Sequence, residues 1–259
     1  MPFLDLPTHR LHYRIDGAEG APWLTFCNSL GTDLTMWDLQ VAELAKDFRI
    51  LRYDRRGHGQ STAADGLYTV DQLGGDVVAL WDALQIDRTH FCGLSIGGLT
   101  GQWLGLNAAE RLDKLIVCAT AAKIGTAESW AQRIAGVQES GMKPLAEGTV
   151  TRWFTEHFTD THEEQVKDII DVFLATTPEG YAGCCSAVAQ ADFRDALAKI
   201  TVPLLAIAGD DDPVCPPADL QHIADSVADG RFVQVAGRHI CNVESPAALT
   251  TALRDFLTA

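Results

Sequence analysis

A chain of 259 residues with 47% hydrophobic content can bury one large core, and its formal net charge of −15 argues against nucleic acid or an anionic membrane as a partner. No apolar run approaches the roughly 18 residues of a spanning helix. The opening MPFLDLPTHRLHYRID has acidic residues and prolines where a secretion signal would have an apolar centre. The seven cysteines form no C-x-x-C pair and no grouping with zinc spacing, so no metal is expected. They are expected to pack as small hydrophobes in a reduced, cytoplasmic protein.

Residues 9–16 alternate, with Leu11, Tyr13 and Ile15 on one face, and predict an early edge strand. After a turn, residues 23–27 predict an apolar strand that runs into the loop Asn28-Ser29-Leu30-Gly31-Thr32. A helix over 37–46 and a strand over 48–53 lead into a glycine-rich loop, DRRGHGQS, at residues 54–61. Residues 69–85 place Val70, Leu73, Val77, Leu80 and Leu84 on one helical stripe. A short apolar strand over 89–94, a helix over 96–106 and a strand over 114–119 complete this half. Such alternation predicts an α/β fold with a mostly parallel central sheet and helices on both faces.

From residue 123 to 191 the pattern changes. Helices are predicted at 130–139, 145–154 and 163–175, with no convincing strand. Strands resume at 202–208 and 231–235, and an amphipathic helix closes the chain at 246–257. The expected organisation is one core, residues 1–122 and 192–259, with a helical cap of residues 123–191 inserted over the strand ends.

The stretch with chemistry in it is Phe91 to Gly98, FCGLSIGG. A strand, Ser95 on a sharp turn and a helix start are the context that makes G-x-S-x-G a nucleophile elbow. The turn lifts the Ser95 hydroxyl out of the sheet and leaves the Ile96 N–H at a helix N-terminus to face a developing oxyanion. A serine hydroxyl needs a general base, and the base a carboxylate to orient it. In the α/β-hydrolase arrangement these follow in the order serine, acid, histidine. Of the two histidines beyond the cap, His222 falls in a predicted helix, whereas His239 follows the last strand; His239 is the expected base. His58 precedes the serine, and its loop is expected to be a structural turn. For the acid, Asp210, Asp211 and Asp212 all follow the strand at 202–208. The usual hydrolase spacing, three residues after Gly209 and before a proline-rich turn, selects Asp212. Many hydrolases write the second oxyanion donor as His-Gly-X; here Asn28-Ser29-Leu30 occupies that place, and the Leu30 N–H is the matching donor.

With these pieces placed, the chain resembles the 3-oxoadipate enol-lactonases of bacterial aromatic catabolism. The strings that carry the resemblance are LHYRIDG, NSLGTDLTMWD, RYDRRGHGQS, FCGLSIGGLTGQWL, AAKIGTAESW and HICNVESP, which span nearly the whole chain. The resemblance implies an α/β-hydrolase fold, an intracellular enzyme without cofactor or metal, and a small anionic lactone as substrate. A related carboxylesterase or lactonase, a carbon–carbon bond hydrolase, or a slow-turnover receptor would use the same triad. No signal for an oligomeric state is present. An anionic substrate requires a cation, and residues 123–191 offer Lys123, Arg133, Lys143, Arg152 and Lys167. Arg133 lies three residues after Trp130, so both can project from one helix face. Trp130 is expected over the apolar ring and Arg133 on the carboxylate; the alternative is an Arg133 paired with a nearby glutamate.

Overall fold

The computed structural model of the chain describes residues 2–259. Eight strands form one sheet: β1 (Phe3–Asp5), β2 (Arg10–Asp16), β3 (Trp23–Cys27), β4 (Arg49–Tyr53), β5 (Thr89–Leu94), β6 (Leu112–Cys118), β7 (Leu204–Gly209) and β8 (Gly230–Val235). Their spatial order is β1-β2-β4-β3-β5-β6-β7-β8, parallel from β4 onward and antiparallel only at the β1 and β2 edge. The central strands β5 and β7 are buried at every residue, which is why they read as continuous apolar runs without alternation. The three-residue β1 escaped the sequence because so short a segment has no period to detect.

Helices α1 (Asp38–Leu44), α2 (Val70–Ala83) and α3 (Ile96–Asn107) cover the first half of the sheet. In α2 the predicted stripe is the buried face, with Leu73, Val77, Leu80 and Trp81 inward. Its start is fixed by a reciprocal cap: Thr69 accepts from the Gln72 N–H, and the Gln72 side chain accepts from the Thr69 N–H. The Trp81 indole N–H donates to Thr25 on β3 at 3.0 Å, tying the helix to the sheet.

Between β6 and β7 lie five helices: α4 (Ala127–Ser140), α5 (Ala146–Trp153), α6 (Glu156–Thr161), α7 (Glu163–Ala175) and α8 (Pro178–Gln190). Three match predicted helices; α6 and α8 were not foreseen. Helix α8 starts on a Thr177 cap with Pro178 in its first turn, yet Gly180 through Val188 are all buried. A helix enclosed on all sides carries no amphipathic signal, and its glycines and cysteines have modest helix propensity. After β7 come α9 (Pro217–Ser226), α10 (Cys241–Glu244) and α11 (Pro246–Thr258). Because β3, β5, β7 and β8 run parallel, the loops after all four open at one end of the sheet, where residues of α4, α5 and α8 share a cavity with them.

Candidate active site

The turn after β5 is as sharp as the motif requires. Ser95 sits at φ +59°, ψ −116°, a backbone region that non-glycine residues enter only when their surroundings hold them there. A Cβ on Gly93 would come within 2.1 Å of the Gly97 carbonyl oxygen, and one on Gly97 within 2.4 Å of the Cys27 carbonyl oxygen. The two glycines therefore let the strand, the helix and the end of β3 close on one another, and that closure aims the serine.

Three side chains from separate loops meet there. Ser95 Oγ is 2.9 Å from His239 Nε2, and His239 Nδ1 is 2.8 Å from Asp212 Oδ2. With Nδ1–H donating to the carboxylate, Nε2 is left free to take the serine proton. The other Asp212 oxygen accepts from the N–H groups of Val214 and Cys215 at 2.7 and 3.1 Å, which locks the carboxylate plane. The three neighbouring aspartates separate by use. Asp210 accepts from the Gly237 N–H, holding the histidine loop, and Asp211 pairs with Arg238 at the surface. Only Asp212 reaches the imidazole, so the spacing picked the residue that the folded chain brings there.

Leu30 borders the space in front of the serine: Ser29, Leu30, Ser95, Trp130, Arg133, Arg152, Trp153, Tyr181 and His239 line a cavity of about 170 Å³, and Ile96 opens α3 directly after the serine. Among the described residues neither the Leu30 nor the Ile96 N–H has a protein acceptor. Both donors are thus available for an oxyanion at Ser95. The residues Asp212, Cys215 and His239 are also the one group of metal-ligand type gathered closely among the described residues. Asp212 and His239 bond to each other, and burial pushes the Cys215 thiol well above its usual range, away from the thiolate a metal would need.

Trp130 and Arg133 do share a helix face toward the cavity. The Arg133 guanidinium lies over the Trp130 ring at 5.2 Å and donates to the Tyr181 hydroxyl at 3.2 Å, while the indole N–H donates to the Ile124 carbonyl. Among the described residues no glutamate pairs with Arg133. Arg152, from α5, is a second cation in the cavity wall, held by Thr149 at 3.0 Å. Burial, and then the charge of Arg133, hold its pKa below the usual arginine range. The sequence offered Arg152 only as one of five basic residues; nothing in its spacing distinguished it. Tyr181 was missed together with α8, and burial and its neighbours raise its hydroxyl to about 12, so it stays protonated.

Residues 33–237 match the family Hydrolase_4, described as serine aminopeptidase, S33. Two relatives from Acinetobacter baylyi, 3-oxoadipate enol-lactonase 2 and 3-oxoadipate enol-lactonase 1, are 44% and 41% identical, each over 95% of this chain and 92% of its own length. The crystal structure of the enol-lactonase from Burkholderia xenovorans LB400 superposes with a TM-score of 0.98 at 45% identity, covering 100% of both chains.

Replacing Ser95 or His239 by alanine should each lower kcat by several orders of magnitude, with the double variant scarcely worse, because groups acting as a unit are not additive. Near-normal turnover in either single variant would reject the pair. Among the aspartates, Asp212→Asn should cripple turnover without unfolding the protein, since the imidazole loses its orienting charge. Asp211→Asn should be mild; steady-state kinetics beside a thermal melt separates the two cases.

Proposed function

The chain belongs to the 3-oxoadipate enol-lactonase family of α/β hydrolases, and on that premise we propose that it hydrolyses 3-oxoadipate enol-lactone to 3-oxoadipate in the catabolism of aromatic compounds by the β-ketoadipate route. Ser95 Oγ attacks the lactone carbonyl as His239 Nε2 takes its proton, and Asp212 stabilises the resulting imidazolium. The N–H groups of Leu30 and Ile96 receive the oxyanion. Collapse of the tetrahedral intermediate breaks the ring C–O bond, and His239 returns the proton to the departing enol oxygen. The enol then ketonises, which makes closing the ring again unfavourable. Water, deprotonated by His239, attacks the acyl group on Ser95; His239 returns that proton to Ser95 Oγ as the acyl–oxygen bond breaks and the second carboxylate of 3-oxoadipate is released. No metal or cofactor enters these steps.

The observation that carries this substrate class is the pair Arg133 and Arg152. Two guanidiniums without carboxylate partners face the cavity of a protein whose net charge is −15. Bringing like charges together in a part-buried wall is unfavourable unless an anion completes the site. The free carboxylate of the enol-lactone is such an anion, and guanidinium forks suit it. The stacked Trp130 holds Arg133 in place and offers an apolar face to the ring.

The same proposal divides the chain into a core of residues 1–122 and 192–259 and a cap of 123–191, a division supported by the position of α4 to α8 between β6 and β7. A cytoplasmic location is supported by seven unpaired cysteines, and no helix is long and apolar enough to cross a membrane.

Turnover of the enol-lactone beside a neutral ester of similar size tests the reading. The enol-lactone should be preferred, and Arg133→Met and Arg152→Met should each lower kcat/KM for it by ~10-fold or more. That is the loss expected for one charged hydrogen bond of about 1.5–3 kcal/mol. The neutral ester should be nearly unaffected. An equal fall on both substrates would mean a damaged cap rather than a lost anion site.

A further inference from the structure

The glycine-rich loop at residues 54–61 is more than a turn. Asp54 accepts from the Leu34 and Gln60 N–H groups at 2.8 and 2.9 Å and bonds His12 at 2.7 Å, while Arg56 makes a two-pronged pair with buried Asp76 at 2.7 Å. These anchors leave two neighbouring side chains, Arg55 and His58, pointing at the loop that carries Leu30. Arg55 is 3% exposed, and no carboxylate pairs with it among the described residues. Its guanidinium donates instead to the Asn28 carbonyl at 2.7 Å, the Ser29 carbonyl at 3.2 Å and the Cys27 thiol at 3.2 Å. His58 Nε2 accepts from the Gly31 N–H at 3.0 Å, and its Nδ1 faces the Arg56 carbonyl at 3.3 Å.

We propose that Arg55 and His58 are positioning residues for the oxyanion hole, gripping the loop from behind so that the Leu30 N–H faces the carbonyl attacked by Ser95. A trans peptide is planar, with its C=O and N–H pointing in opposite directions. Pulling the Ser29 oxygen toward Arg55 therefore turns the Leu30 N–H the other way, toward the cavity. The next peptide is fixed by His58. Gly31 can present its N–H backward because it sits at φ +77°, and a Cβ there would strike the Phe173 ring at 2.6 Å. The fixed charge behind the carbonyl also polarises the peptide, making its N–H a stronger donor to a forming oxyanion. For this grip His58 must stay neutral with Nε2 unprotonated. Burial first, and then the adjacent Arg55 charge, push its pKa down to about 3, so it stays neutral at any pH near neutrality.

This inference rests on the hydrolase reading and deepens it, and the test separates the two. Wild-type enzyme that fails to turn over the enol-lactone sinks the reading itself; wild-type turnover with indifferent variants sinks only the inference. Arg55→Lys, Arg55→Met and His58→Leu should lower kcat roughly 10- to 100-fold, less than outright loss of a donor, with KM changed by less than about threefold. Phenylboronic acid, which adds to Ser95 and places an oxygen in the oxyanion position, should lose affinity in step with kcat. Adipate, which binds without forming an adduct, should not. His58→Gln keeps an acceptor for the Gly31 N–H and should restore most of the loss seen in His58→Leu. A merely structural role would lower the melting temperature and leave the boronate-to-adipate ratio unchanged, which overturns the proposal. Should the arginine variants not fold, 15N spectroscopy of the wild-type histidines still decides it. His58 with a protonated Nε2 at neutral pH rejects the arrangement; an unprotonated Nε2 upholds it.

Discussion

The Ser95–His239 hydrogen bond joins residues 144 positions apart, and no local preference of either segment could bring them together. It exists because β5 and β8 run parallel in one sheet, with β6 and β7 between them, so that the turns after them open at the same end. The geometry leaves little slack. Ser95 is held at a positive φ that costs about 1–3 kcal/mol, and the packing of Gly93 against Gly97 and of Gly97 against the end of β3 over-determines that conformation. On the other side, Asp210 and Asp212 both tie the β7 turn to the histidine loop, one through the Gly237 backbone and one through the imidazole itself.

Charge is arranged on two scales. Over the whole surface the excess of acidic groups repels an anion, but at physiological ionic strength that field is screened within about 8 Å. Inside the cavity the nearest charges decide, and these are Arg133 and Arg152. A third guanidinium, Arg55, lies behind the cavity wall and touches backbone carbonyls rather than substrate. Arginine suits all three places because it cannot lose its proton even where burial disfavours the charge.

The fold was legible wherever the sequence carried a periodic stripe, an alternation or a short, continuous apolar run. The stripe of α2, the alternation in β2 and the apolar runs of β5 and β7 all fell within two or three residues of where they stand. Helix α8 was not legible, because its buried residues are mostly glycine, alanine and cysteine and form neither an apolar stripe nor a continuous apolar run; its enclosure is a consequence of the final packing. Losing α8 also hid Tyr181, and with it the partner that holds Arg133. Arg152 was visible only as one basic residue among several, since its direction depends on how α5 meets the cavity. The loop at residues 54–61 reads from the sequence as a structural turn, for nothing in DRRGHGQS says that Arg55 and His58 reach back to residues 28–31.

By itself, then, the sequence pointed to Ser95 on its sharp turn, to the chain order of the groups that meet it and to the parallel α/β plan. These depend on glycine spacing, hydrophobic period and chain order, all of which can be read along the chain without knowing how it packs. It also favoured Asp212 among three adjacent aspartates, by the spacing usual in hydrolases. Which basic residues of 123–191 face the cavity, and which side chains lie behind residues 28–31, were decided only by the tertiary structure. Each of those is a question of side-chain or peptide direction between segments remote in the chain, and a direction is set by packing that no single segment encodes.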